Sequence, residues 1–298
     1  MYEELRARLE RDGLTIMEIP GVHSVGIGKD GDGRPVLRVH AHGTEVRVLS
    51  DYDILKGCEI ANDPEPVADV LRIAKGSVTC PADSDMGRYR PMLGGIQITL
   101  HDEEYEYYGT LGCFVVPRYD FADPYDICLL SCRHVLKGTD NTVYQSLVTY
   151  GDEVAEVSKL CTDVTIDAGI ARMTNLEINN MVLEEIGKIG GVCFPTYRDI
   201  GRRVVKRGRT TKRTIGIIQE IECLVRYGGK LSKGEIRIKT ANGKAYSDSG
   251  DSGSPVVFED DNTILGIHCA GDGGSHTYGY ATSMEYIFDD LDICLWEG

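Results

Sequence analysis

The order of hydrophobic and polar positions divides the chain into a short mixed segment and a long β-rich one. In the first, Leu5 and Leu9 stand four residues apart among charges. That spacing predicts a short amphipathic helix over Tyr2–Arg11, ending before Gly13. Leu14–Ile19 reads as a strand stopped by Pro20-Gly21. Val22–Gly28 and Pro35–Ala41 read as two more, joined by the turn cluster Asp30-Gly31-Asp32-Gly33, and Thr44–Leu49 as a further strand. Residues 1–75 are therefore expected to form a small α+β domain, and residues 76–91, with Pro81 and Pro91, a linker.

From Met92 the pattern changes. Short runs rich in β-branched and aromatic residues recur between turns: Ile96–Leu100, Tyr107–Val116, Ile127–Ser131, Thr165–Ala171, Arg203–Lys206, Thr214–Glu222, Gly234–Thr240, Pro255–Phe258, Thr263–His268 and Thr277–Ala281. Many short strands at regular spacing predict an all-β barrel or sandwich. Only Met284–Cys294 reads as a late helix, with Ile287, Leu291 and Ile293 on its apolar side.

Composition narrows the class. The 298 residues are 42% hydrophobic and 27% charged, which suits a folded protein with a sizeable core. No run approaches the ~20 apolar residues of a membrane-spanning helix. The N-terminus shows no secretory pattern, so a cytoplasmic location without membrane attachment is expected. The net charge of -15 disfavours a nucleic-acid partner. Ten scattered cysteines, none in a Cys-x-x-Cys pair, are expected as reduced thiols. No cofactor or metal is expected: His40 and His42 share a strand face but lack a third ligand, and Asp102-Glu103-Glu104 reads as a solvated turn. Arg202, Arg203, Lys206, Arg207, Arg209, Lys212 and Arg213 form the single basic cluster, expected as a solvated loop.

Three segments carry chemistry. In Gly250-Asp251-Ser252-Gly253-Ser254-Pro255 a serine stands between glycines ahead of an apolar strand. Such a turn exposes a hydroxyl and lets successive N–H groups converge. In Leu129–Leu136 a histidine, His134, follows an apolar run. In Thr165–Ala171 one acid, Asp167, interrupts apolar positions and requires a donor if buried. Asp163, four residues earlier, is the competing acid.

The chain order His, Asp, Ser, together with Gly109–Val115 ahead of the histidine, resembles the trypsin-like peptidases of chymotrypsin fold. Lys206–Thr211, Gly216 and Val25–Gly28 are closer to the non-secreted, prokaryote-type branch, to whose wider group the plant narrow-leaf proteins belong. The resemblance covers residues 92–298 well and 1–75 loosely. It implies a mainly β double barrel (92–200 and 201–282, then the C-terminal helix) and a serine endopeptidase acting on protein or peptide. Ser252 would be the nucleophile, His134 the general base and Asp167 its orienting partner, with an oxyanion hole from the N–H groups of Gly250 and Ser252. Cys132 and Arg133 depart from the small residues usual before the histidine, and Ser254 from the usual glycine. The segment Leu265–Gly271 is similar to the strand lining the first specificity pocket. There His268, with Ser247, Tyr246 and Gly271, would contact substrate and favour Glu or Gln before the scissile bond. The alternative is a catalytically silent peptidase fold used for binding. A regulatory partner docking on the N-terminal unit is a further expectation. Activation by cleavage near Met92-Leu93-Gly94-Gly95, whose new ammonium would pair with Asp251, is the alternative to constitutive or partner-triggered assembly, in which Met92–Leu100 is simply the first barrel strand.

Overall fold

A computed structural model of the chain describes all residues except 43–48, 50–51, 63–66, 69–72, 75–84, 102–104, 119–125, 139, 147–150, 183–185, 228 and 273–275; for 67–68, 73–74, 101 and 105–107 it describes the backbone alone. Most of Thr44–Leu49, Asp102–Glu104 and most of the 76–91 linker lie outside the described residues.

The chain is mainly β, in two large sheets. In the second half, strands Arg203–Gly208, Pro255–Phe258, Ile264–Asp272, Tyr278–Ser283, Lys230–Thr240 and Lys212–Tyr227 pair in that order. Arg203–Gly208 pairs again with Lys212–Tyr227, which closes the six into a barrel. Closure removes free sheet edges. Lys212–Tyr227 is long enough to serve two neighbours. Its first half pairs with Arg203–Gly208, while Ile221–Val225 pairs with Val22–Lys29. The ladder to Lys230–Thr240 shifts register around Glu220 and Cys223, and Glu222 takes a positive φ of 57°, so the strand bends between the two partners.

Val22–Lys29, Pro35–Ala41 and Glu59–Asn62 therefore extend the second barrel's sheet. Helix α1 (Tyr2–Met17) covers them, and Leu9, Ile16, Val25, Ile27 and Leu37 share one core with Ile218, Ile221, Ile236 and Phe258. The helix corrects two sequence expectations: it passes through Gly13 and takes in Leu14–Met17, which read as strand. A Cβ on Gly13 would lie 2.6 Å from Leu224 Cδ1, so the bare backbone is what lets the helix approach the sheet. That contact offsets the low helix propensity of glycine.

In the first half, Phe114–Pro117, Cys128–Ser131, Gly169–Met173, Glu153–Leu160, Thr142–Tyr144, Gln97–His101 and Tyr105–Thr110 form the other sheet. Its edge is capped by Ile293–Leu295, which leaves helix α3 (Met284–Leu291) and pairs with Phe114–Pro117. The late helix thus ends earlier than Cys294. Its C-cap Asp292 is left-handed, φ 55°, and turns the chain into that strand. Among the described residues no helix is long and apolar enough to cross a membrane.

Candidate active site

The site lies where the two sheets meet. Thr110, ending a strand of the first, donates its N–H to Ser252 O at 2.8 Å and its hydroxyl to Gly250 O at 2.9 Å. Ser131 Oγ in turn donates to Thr110 O at 2.8 Å. Gly253 fills the tightest point: it has φ +95°, and a Cβ there would fall 2.0 Å from Thr110 O. Any other residue would separate the serine loop from the first sheet.

His134 belongs to the short helix α2 (Arg133–Leu136), which follows strand Cys128–Ser131 directly. Asp167 does not interrupt a strand as the pattern suggested; the strand begins at Gly169. Asp163 holds the preceding turn by accepting from Thr165 N at 2.9 Å and Thr165 Oγ1 at 2.6 Å. Strand hydrogen bonding starts only after that turn.

The Asp167 carboxylate clasps the histidine twice. Oδ1 accepts the His134 backbone N–H at 3.0 Å, and Oδ2 lies 2.5 Å from His134 Nδ1. Burial works against the charge, but the His134 ring and these N–H groups outweigh it and hold the carboxyl below its ordinary range. Asp163 instead pairs with Lys233. His134 Nε2 is buried without a hydrogen-bond partner. Ser252 Oγ makes its hydrogen bond at 3.5 Å to Cys269 O, so serine and histidine are not hydrogen-bonded to each other in this state. Catalytic hydrogen bonds are commonly long without substrate.

Gly250 has φ +97°, and the Gly250–Ser252 turn is braced from within. Asp251 N donates to Asp248 O at 3.0 Å, Gly253 N to His268 O at 2.7 Å and Ser254 N to Asp251 O at 2.9 Å. The N–H groups of Gly250 and Ser252 take no part in that bracing. Asp251, fully buried, accepts from Lys206 Nζ at 3.0 Å, Thr211 Oγ1 at 2.5 Å, Thr210 N at 2.9 Å, Thr211 N at 3.1 Å and Asp248 N at 3.1 Å. Burial alone would neutralise it; Lys206 and the hydroxyl and amide donors reverse that and keep its pKa low. Lys206 thus stands where a freed ammonium would have paired with Asp251.

The basic cluster is accordingly not a solvated loop. Lys206, Arg207 and Arg209 are buried. Arg207 pairs with Asp85 and donates to Gly95 O at 3.0 Å, and Arg209 Nε donates to Gln97 Oε1 at 2.7 Å. These cations tie the serine loop to the first sheet and to the segment before it.

His268, Tyr246 and Ser247 are all buried beside this loop. The His268 and Tyr246 rings meet edge-on at 5.8 Å, and Ser247 Oγ faces Gly271. Burial, reinforced by the Lys206 charge, lowers the His268 pKa to about 3, so the ring is a neutral hydrogen-bonding group. Its Nδ1 has no partner.

One functional candidate escaped sequence reasoning. Glu235, fully buried in strand Lys230–Thr240, accepts from Ser232 Oγ at 2.6 Å, Thr282 Oγ1 at 3.0 Å and Cys269 Sγ at 3.1 Å. Burial pushes its carboxyl up to about 7, the three donors opposing and the Asp167 charge adding. A lone acid between a glycine and an isoleucine gave no local sign of this.

The Trypsin family matches residues 189–289, which span most of the second barrel and α3. Among curated proteins nothing matches the chain. Solved structures do. Protease A of Thermobifida fusca is 19% identical with a TM-score of 0.54, covering 69% of this chain and 98% of its own. A glutamic acid-specific serine protease, described as using a histidine triad in substrate binding, is 20% identical with a TM-score of 0.54, covering 69% and 100%. Cellulomonas bogoriensis chymotrypsin is 15% identical with a TM-score of 0.52, covering 69% and 98%. The chain has the chymotrypsin-like fold.

Proposed function

We propose that the protein is a serine endopeptidase with Ser252 as nucleophile. The observation that carries this reading is the two-point clasp of His134 by Asp167, set beside a serine loop braced everywhere except at the N–H groups of Gly250 and Ser252. With Asp167 accepting the hydrogen bond from Nδ1–H and so holding that tautomer, Nε2 is the basic nitrogen. When substrate seats, Ser252 Oγ swings from Cys269 O toward Nε2, gives up its proton and attacks the carbonyl. The oxyanion is received by the Gly250 and Ser252 N–H groups. His134 then protonates the leaving amine, and water repeats the cycle on the acyl-enzyme.

The neutral ring of His268 supports a substrate role beside Ser247, Tyr246 and Gly271. It would donate to a Glu or Gln side chain before the scissile bond, as the histidine-using neighbour specific for glutamic acid suggests. A second reading, a silent peptidase fold used for binding, draws on the absent Ser252–His134 hydrogen bond. A peptide-library digest separates the two. The peptidase reading expects cleavage after Glu or Gln by the wild type and none by Ser252→Ala. Equal products from both proteins would reject it, and cleavage after Arg, Lys or large aromatics would reject the role of His268.

A further inference from the structure

The residue before the catalytic-type helix is the unusual one. Cys132 stands between strand Cys128–Ser131 and α2 as the N-cap of that helix, is fully buried, and donates its S–H to His268 O at 3.2 Å. Its Sγ, a ring nitrogen of His134 and a carboxylate oxygen of Asp167 all lie within 4.8 Å of one another. Nδ1 is the ring nitrogen on that side, because it faces Asp167. We propose that Cys132, His134 and Asp167 form a binding site for a thiophilic divalent cation such as Zn2+, and that the cation switches the site off. The binding half stands alone; the inhibition half rests on the peptidase reading.

Thiolate, imidazole and carboxylate are the three donor types that Zn2+ prefers. In a tetrahedral site with bonds of ~2.0 Å to nitrogen and oxygen and ~2.3 Å to sulfur, the ligand atoms sit about 3.3–3.6 Å apart. Opening the 2.5 Å contact between His134 and Asp167 to that spacing, and drawing the sulfur in, takes movements on the order of 1 Å. His134 and Asp167 keep 24% and 13% of their side-chain surface exposed, whereas Cys132 is fully buried beneath them.

Charge favours the bound state. Without metal the three side chains sum to one negative charge, the Asp167 carboxylate. On binding, the Cys132 S–H proton leaves for solvent, and Zn2+ with one thiolate and one carboxylate is neutral. That is the better state in a partly buried site. The cation also takes the Nδ1 lone pair. The ring proton formerly at Nδ1 must then sit on Nε2, which can no longer accept the Ser252 proton. Nothing is oxidised or reduced, and one proton is released per metal bound.

Cobalt reports the binding half directly. Titrating the reduced full-length chain with Co2+ in the absence of oxygen should raise one equivalent of thiolate-to-cobalt charge-transfer absorption. Cys132→Ala should lose it, and Cys132→Ser, which keeps the donor to His268 O, covers the case in which the alanine variant misfolds. In parallel, Zn2+ should block fluorophosphonate labelling of the wild type and act at least about tenfold more weakly on the variants, whose labelling without metal is unchanged. Absorption that is absent in the wild type or undiminished in both variants overturns the site. Equal Zn2+ block of wild type and variants overturns the switch. If the wild type takes no label even without metal, the peptidase reading fails, and the cobalt titration still decides the site.

Discussion

Asp251 and Glu235 are both fully buried carboxyls flanking Ser252, one inside its loop and one behind Cys269. Burial pushes both toward the neutral acid, yet they end in opposite states. Asp251 has Lys206, one threonine hydroxyl and three backbone amides, and is held ionised. Glu235 has only neutral hydroxyl and thiol donors, with the Asp167 charge repelling it, and is raised to about 7. Asp251 has more donors, but it also has what Glu235 lacks, a cation within contact, and the Lys206 charge is the largest influence opposing its burial. The difference also divides the labour. The ionised group pins the loop carrying the Gly250 and Ser252 N–H groups, while Glu235, its carboxyl raised to about 7, fills the space behind and is protonated below neutral pH.

Lys206→Met breaks the comparison most severely, because it makes Asp251 resemble Glu235. Leaving a buried carboxylate without its cation should cost about 3–5 kcal/mol, read as a lowered unfolding midpoint in denaturant. Adding Asp251→Asn to that variant should recover part of the loss. A double mutant whose loss is the simple sum of the two single losses would mean that the pair is not coupled.

Glu235→Gln sharpens the comparison from the other side. Folded Glu235 holds its proton up to about pH 7, whereas the unfolded group releases it near its ordinary 4.5. Its contribution to stability is therefore full below about pH 4.5 and is lost as pH rises through about 7. The wild type should lose up to about 3 kcal/mol over that window, and the glutamine variant should lose less. Parallel stability–pH curves for the two proteins would show that Glu235 ionises normally.

Asp163 sets the lower bound. Like Asp251 it pairs with a lysine, Lys233, and its pKa falls to about 2, with burial opposing and Lys233 and Thr165 prevailing. But a third of each side chain is exposed, so solvent screens the pair. Asp163→Asn should cost at most about 1 kcal/mol near neutral pH, and the difference should fade as pH drops through the range between about 4 and 2. A cost matching that of Lys206→Met would show that burial is not what separates the two pairs.

The same contrast explains what the sequence could reveal. The turn around Ser252 was legible because its glycines and the apolar strand Pro255–Phe258 leave a local signature. The strand ahead of His134 was legible from its apolar run. The contact of Asp167 with His134 is in place, although a turn held by Asp163 replaces the strand start that the pattern suggested. Lys206, Arg207 and Arg209 were misread as a solvated loop, because their partners Asp251, Asp85 and Gln97 lie far away along the chain and only folding brings them close. Glu235 was invisible for the same reason: Cys269 and Thr282 come from two other strands. In α1, Gly13 read as a stop because its packing partner, Leu224, is more than two hundred positions away. Strand Glu153–Leu160 escaped because its exposed Glu153, Glu156 and Ser158 mask the buried pair Val154 and Ala155.

The central claim is that Ser252 is a nucleophile activated by His134 and Asp167. A fluorophosphonate reaction followed by peptide mapping tests it most directly. The account predicts one covalent adduct per chain, on Ser252, absent from Ser252→Ala. It also predicts labelling slowed by about four powers of ten in Asp167→Asn, whose imidazole would hold the wrong tautomer. A folded wild type that takes no label, or carries it on another residue, would contradict the account.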